Sequence, residues 1–228
     1  MIKKKLLGLS IALVASASTL SAQTTLGAFT FNNGLFGNSV TASDGGAFYA
    51  NNWLNTANTA PGQTAALTGV NFNTGIANIG ISGPLSYTIG YTSGIVNNAG
   101  ADLGIVVARF STDNFFLSVS TDGSSFSAEQ AISGASAVNT GDSRSYFYAG
   151  GGPFSAGLFV HSIDLSDFGI ANSGSVVAVR VRATTELDLI RAAGFGNTTV
   201  TPEPSTYALM SAGLLALGLA ARRKQRGA

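Results

Sequence analysis

The chain has 228 residues, few of them charged (10%), and no cysteine, which excludes a disulfide framework and any cysteine-held metal cluster. Its formal charge of +1 hides an asymmetry: seven of the twelve Lys and Arg lie within the first five and last seven residues. Residues 23–201 keep five arginines, no lysine and ten acids. A body with a net charge of about −5 excludes nucleic acid as an expected partner.

The N-terminus reads MIKKK, then an apolar run from Leu6 to Val14, then the small polar stretch ASASTLSAQ. Cationic, apolar and small-residue segments in that order are the layout of a secretory signal peptide, expected over residues 1–22. Signal peptidase is expected to cut after Ala22. Leu20 is large for its place in that site, so cleavage after Ser21 is the alternative, and a permanent N-terminal anchor is the other. Residues 23–201 are of a length that suits one domain.

Glycine is abundant at 29 residues, and together with Asn, Ser and Thr it cuts the body into short apolar pieces. No stretch of it sustains a helical period, so the expected class is all-β with frequent turns. Thr25–Phe31 reads as an opening strand, followed by a looser region with short strands near Ser39–Thr41 and Ala47–Tyr49. Ala65–Phe72, Ile76–Ser82 and Leu85–Tyr91 are further strand candidates. Leu103–Phe110 (LGIVVARF) is a nearly continuous apolar run of strand length, as a strand covered on both faces requires. Asn114–Ser120 alternates, with Phe115, Leu117 and Val119 pointing one way and Phe116, Ser118 and Ser120 the other. Thr121–Ser124 (TDGS) then supplies a turn, and Phe126 sits on the expected returning strand. Ser145–Tyr148 and Leu158–Leu165 read as strands, Leu165–Ile170 as a single helical turn. In Gly174–Ala183, Val177, Val179 and Val181 oppose Arg180 and Arg182, and Glu186–Ala192 closes the body. About ten strands, several alternating, predict an antiparallel β-sandwich.

The series ADLGIVVARF, LSVSTDGSSF, HSIDLSDFGI, VVAVRVRA and ELDLIRAAG resembles the closing half of jelly-roll domains of the galactose-binding or discoidin type. That resemblance implies a jelly-roll-like sandwich over residues 23–201 and points toward carbohydrate or surface adhesion.

Chemistry is sparse. The sole histidine, His161, and Asp164 fall on opposite faces of a strand, which denies a base its orienting acid. His161 is expected to pack between Phe159 and Ile163 with its nitrogens hydrogen-bonded. Glu186 and Asp188 share a strand face, and an acid pair on the last strand resembles the position from which some carbohydrate-binding jelly rolls hold calcium. Ligands from other strands would have to complete that shell, and a solvated acidic edge is the alternative. Asp122 is expected to be a turn residue. Tyr49 and Trp53, in the Asn-rich loops, are the aromatic pair suited to stack on a sugar, with edge-of-core packing as the alternative.

The last 27 residues have three ordered parts. Pro202, Glu203, Pro204, Ser205 and Thr206 come first, then the uncharged run Tyr207–Ala221, then Arg222, Arg223, Lys224, Gln225 and Arg226. As a helix, residues 207–221 would be roughly 22 Å long against a hydrocarbon core of ~30 Å, a marginal transmembrane span. The four cations form a membrane stop that stays cytoplasmic, placing the body across the membrane. This tail (residues 202–228) resembles the PEP-CTERM sorting signal. The resemblance implies recognition by a membrane-embedded exosortase near Pro202, Glu203 and Pro204, transient inner-membrane anchoring, and then a place at the cell surface or outside it. The expectation is a non-enzymatic structural or adhesive envelope protein with extracellular polysaccharide as its partner. A polysaccharide hydrolase or lyase using paired carboxylates is the alternative.

Overall fold

A computed structural model describes residues 22–42, 66–80, 85–109, 113–147 and 153–196. The expected signal peptide, the strand at 47–49 and the tail helix lie outside these residues. Within them the short alternating segments form twelve strands: β1 (Gln23–Leu26), β2 (Phe29–Phe36), β3 (Ser39–Ala42), β4 (Ala77–Ile79), β5 (Ser86–Val96), β6 (Leu103–Arg109), β7 (Phe115–Ser120), β8 (Gln130–Ile132), β9 (Val138–Phe147), β10 (Pro153–Ile163), β11 (Ser175–Arg182) and β12 (Leu187–Phe195). Two 3-10 turns, Gly134–Ser136 and Leu165–Phe168, interrupt them.

One sheet runs β1-β2-β12-β6-β10-β9 with β4 also paired to β12; the other runs β3-β5-β11-β7-β8. All the pairings are antiparallel. With β1, β3, β4 and β9 set aside, the orders β2-β12-β6-β10 and β5-β11-β7-β8 remain. Taken in chain order, these are first-eighth-third-sixth facing second-seventh-fourth-fifth, the strand order of a jelly roll.

Alternation along β6 explains how the sandwich is filled. Leu103, Ile105 and Val107 enter the core between the sheets, with Tyr87, Ile89, Phe115, Leu117, Val179 and Val181 facing them. Val106 and Ala108 point the other way and are equally buried, in a second core with Leu26, Phe31, Phe36, Phe72, Leu158, Val160 and Ile190. Phe31 anchors that second core, with ring centroids 5.9 Å from Phe36, 5.5 Å from Phe72 and 5.1 Å from Phe195. The first sheet encloses it by curling: the β1–β2 turn, at one margin, reaches β9 at the other, where the Gly27 amide donates to Asp142 Oδ2 at 2.7 Å. Gly27 is required there. It has φ +56, and a β-carbon would lie 2.2 Å from the Thr140 carbonyl oxygen.

That turn also corrects the sequence reading. Thr25–Phe31 is the junction of two strands, split because glycine at the first turn position lets the chain reverse over two residues. Residues 66–72 are not a strand. Ala66 and Leu67 make a short helical turn and the chain then bends, with Leu67 entering the first core and Phe72 the second. The β7 turn forms as expected, with Gly123 at φ +79 and Asp122 Oδ1 accepting from the amides of Ser124 (2.8 Å) and Ser125 (2.7 Å). The returning strand starts later than Phe126, at Gln130, because Ser127 pairs with Val119 partly through its side chain. In β11 a register shift between Val176 and Ala178 puts Val176, rather than Val177, in the core with Val179 and Val181.

The chain enters and leaves the body at one corner. Residues 22–23 lie along one edge of β2 and Phe195 along the other; the Gly196 amide donates to Thr30 O at 2.9 Å.

Candidate functional site

Polar groups gather where β6 ends and β12 begins. Val107, Leu187, Ala137, Asp113 and His161 line a small pocket there, with room for about one water. Pairing of His161 with Ile105 turns the imidazole inward, edge-on to Phe115 at 5.0 Å, and it is buried. Its Nδ1 lies 3.0 Å from Ser136 Oγ on the 3-10 turn Gly134–Ser136. Ser136 Oγ also lies 2.8 Å from the Ser133 carbonyl, which can only accept. The one hydroxyl proton therefore goes to Ser133, and Nδ1–H donates to Ser136. In that arrangement His161 does not serve as a base for Ser136. Asp164 is committed elsewhere: its Oδ1 accepts the Ser166 amide at 2.9 Å and caps the turn Leu165–Phe168.

The acids divide by what meets them. Asp102 is buried, but Asn98 N donates to Oδ1 at 2.8 Å and Leu165 N to Oδ2 at 3.2 Å, tying the start of β6 to the turn beyond β10. Burial still raises its pKa, against those two bonds. The Asp122 carboxyl is held far below the usual range by the Ser125 and Ser124 amides and the Ser120 hydroxyl. Asp188 is different. It is 6% exposed, its Oδ1 has no hydrogen-bond partner among the described residues, and burial, with Glu186 and Asp113 adding negative charge, pushes its pKa up to about 7. Glu186 precedes β12 and is exposed. The two acids expected to act as a pair thus sit in unlike surroundings. Among the described residues no three His, Asp or Glu side chains converge as a metal shell.

Sequence reasoning missed Asp113 and Ser136, which reach this end of the sandwich through tertiary pairing. It also missed Arg191. Across β12 from β6, β4 pairs with Leu187–Leu189 and β2 with Ala193 and Phe195, leaving the middle of that edge without a strand among the described residues. Arg191 fills the gap. Fully buried, it donates to Gly69 O (3.0 Å), Ile190 O (2.6 Å), Asn71 O and Thr74 Oγ1.

Tyr49, Trp53, the motif Pro202, Glu203 and Pro204, and the cations Arg222, Arg223, Lys224 and Arg226 lie outside the described residues. Among the described residues no helix is long and apolar enough to cross a membrane. No curated protein and no solved structure matches the chain. One family does match: the PEP-CTERM protein-sorting motif, over residues 200–224, which takes in Pro202-Glu203-Pro204, the apolar run and the first three cations. The chain therefore carries a sorting signal that implies export and processing by an exosortase, joined to a body that is an antiparallel β-sandwich.

Proposed function

We propose that this is an envelope-sorted structural or adhesive protein, whose sandwich is displayed at the cell surface or released to associate with extracellular polysaccharide. The observation that carries this reading is the sorting motif at residues 200–224. In this scheme signal peptidase removes residues 1–22, the short apolar run holds the chain in the inner membrane for a time, and an exosortase cuts near Pro202. Changing Pro202, Glu203 and Pro204 together to alanine is expected to leave full-length protein in the membrane fraction, while the unaltered chain is recovered shortened and outside it. Equal size and location for the two would overturn the sorting scheme. Glycan-array binding that is lost in Trp53→Ala would support adhesion through the Asn-rich loops.

A second reading, a polysaccharide hydrolase or lyase, is favoured by Asp188: a carboxyl held up to about 7 beside two other acids is how a general acid is kept protonated at neutral pH. It requires product release from a polysaccharide that Asp188→Asn abolishes. Long incubation without product would remove it.

A further inference from the structure

We propose that the outer face of the second sheet, centred on Arg180, is a carboxylate-binding subsite for an acidic, uronate-bearing polysaccharide. This deepens the adhesive reading and rests on it.

Register fixes the layout. Facing away from the core, Thr41, Thr88, Arg180 and Ser118 form one row across β3, β5, β11 and β7. Ser86, Arg182 and Phe116 form the next row. Two guanidinium groups therefore stand side by side, each laid on a phenyl ring: Arg182 Cζ lies 4.2 Å from the centroid of Phe116, and Arg180 Cζ 3.8 Å from that of Phe126.

Arg182 shows what such a stacked guanidinium holds. Its Nε and Nη2 grip the Glu129 carboxylate, at 2.7 Å to Oε1 and 2.5 Å to Oε2. Arg180 is set up in the same way, but no carboxylate among the described residues is hydrogen-bonded to it; Glu129 acts on it only through its charge. Its Nε makes one long contact with Thr88 Oγ1 at 3.4 Å, and its two terminal nitrogens make no hydrogen bond among the described residues. Stacking has already fixed the plane of the guanidinium, so less freedom is lost when an anion docks on its open edge. Beside it Ser118 Oγ is buried with no hydrogen-bond partner among the described residues.

The surroundings favour a sugar as the carrier of that anion. Thr41, Thr88 and Ser39 present at least partly exposed hydroxyls on this face. Of the exposed large apolar side chains among the described residues, Val96 alone is on this face, at the far end of β5, whereas a protein interface would centre on such groups. A body with ten acids and five arginines repels a densely charged polyphosphate, while uronates carry one carboxylate per sugar.

The test uses detergent-solubilised full-length protein and affinity electrophoresis through gels containing polygalacturonate, dextran or poly-glutamate. Retardation is expected in polygalacturonate and not in the others. Arg180→Gln should weaken it about tenfold or more, and Glu129→Gln, which frees the fork of Arg182, should strengthen it. Unchanged retardation of a folded Arg180→Gln, or binding to dextran instead, would overturn the subsite and leave the adhesive reading standing. Equal retardation by poly-glutamate would overturn the sugar assignment. A protein retarded by no polymer, its own host's polysaccharide included, would remove the subsite and the adhesive reading together.

Discussion

Two buried charges stand three residues apart on β12, and the fold treats them in opposite ways. Arg191 is fully enclosed, yet the segment over residues 69–74 turns carbonyls and a threonine hydroxyl onto its guanidinium, so the charge keeps the hydrogen bonds it gave up in water. Asp188 is almost as deeply buried, but one carboxylate oxygen meets nothing among the described residues, and the charges of Glu186 and Asp113 act against its ionisation. Arg191 closes a gap in a sheet. Asp188 is tolerated because it can take up a proton.

The largest expected effect follows from removing the satisfied charge. Arg191→Met should lower unfolding free energy by about 3–5 kcal/mol, since the carbonyls of Gly69 and Asn71 lose their donor while still shut away from water. Denaturant titration would show it as a shifted midpoint with an unchanged slope. A near-neutral result would mean that the segment 69–74 can turn its carbonyls outward, and that the gap needs no plug.

Asp188 should act next, and in the opposite direction. Its folded pKa, about 7, lies above the ordinary 3.8, so the folded state holds the extra proton between those values and stability falls as pH rises across that window. The upper limit of that loss is about 4 kcal/mol, complete above roughly pH 7. Asp188→Asn is expected to flatten the profile, raising stability at pH 8 while leaving pH 4 little changed. A wild-type profile flat from pH 4 to 8 would show that the carboxylate finds a partner and that the contrast with Arg191 is false.

The smallest effect belongs to the best-shaped ion pair. Arg182 and Glu129 bond two-pronged, but both side chains are about a third exposed, so Glu129→Gln should cost under about 1 kcal/mol, and less in high salt. A larger loss would mean that this pair pins the β8 end of the sheet.

Much of the sandwich was legible because burial imposes period two. Leu103–Phe110 reads as covered on both faces, and β6 within it fills two cores; Asn114–Ser120 reads as alternating, and β7 within it alternates as its register demands. What the sequence hid depends on contacts between distant segments. Leu67 and Phe72 look like strand residues by composition, but they are anchors of a bent segment that reaches both cores. Val138–Arg144, polar and without alternation, gives no strand signal yet forms most of β9, because β10 supplies a ladder for it. The His161–Ser136 contact joins residues 25 apart, and nothing local announces it. Arg180 could be placed opposite the core valines, but not under Phe126, which reaches it from beyond the β7 turn. The sorting motif was legible for the opposite reason: it is read as a linear string, with no fold needed.

The place of β12 bears on mechanics. It is the strand nearest the sorting tail, and it lies inside its sheet, bonded to β6 along one edge and to β4 and β2 along the other. A pull directed along β12 from Phe195 would load the ladders on both of its edges in shear, with Arg191 locked across the gap between β4 and β2. A strand at the margin of the sheet would peel away one bond at a time. Force-resisted lifetime is set by the unfolding rate rather than by equilibrium stability, so a body held by its C-terminal end resists through a strand bonded on both edges.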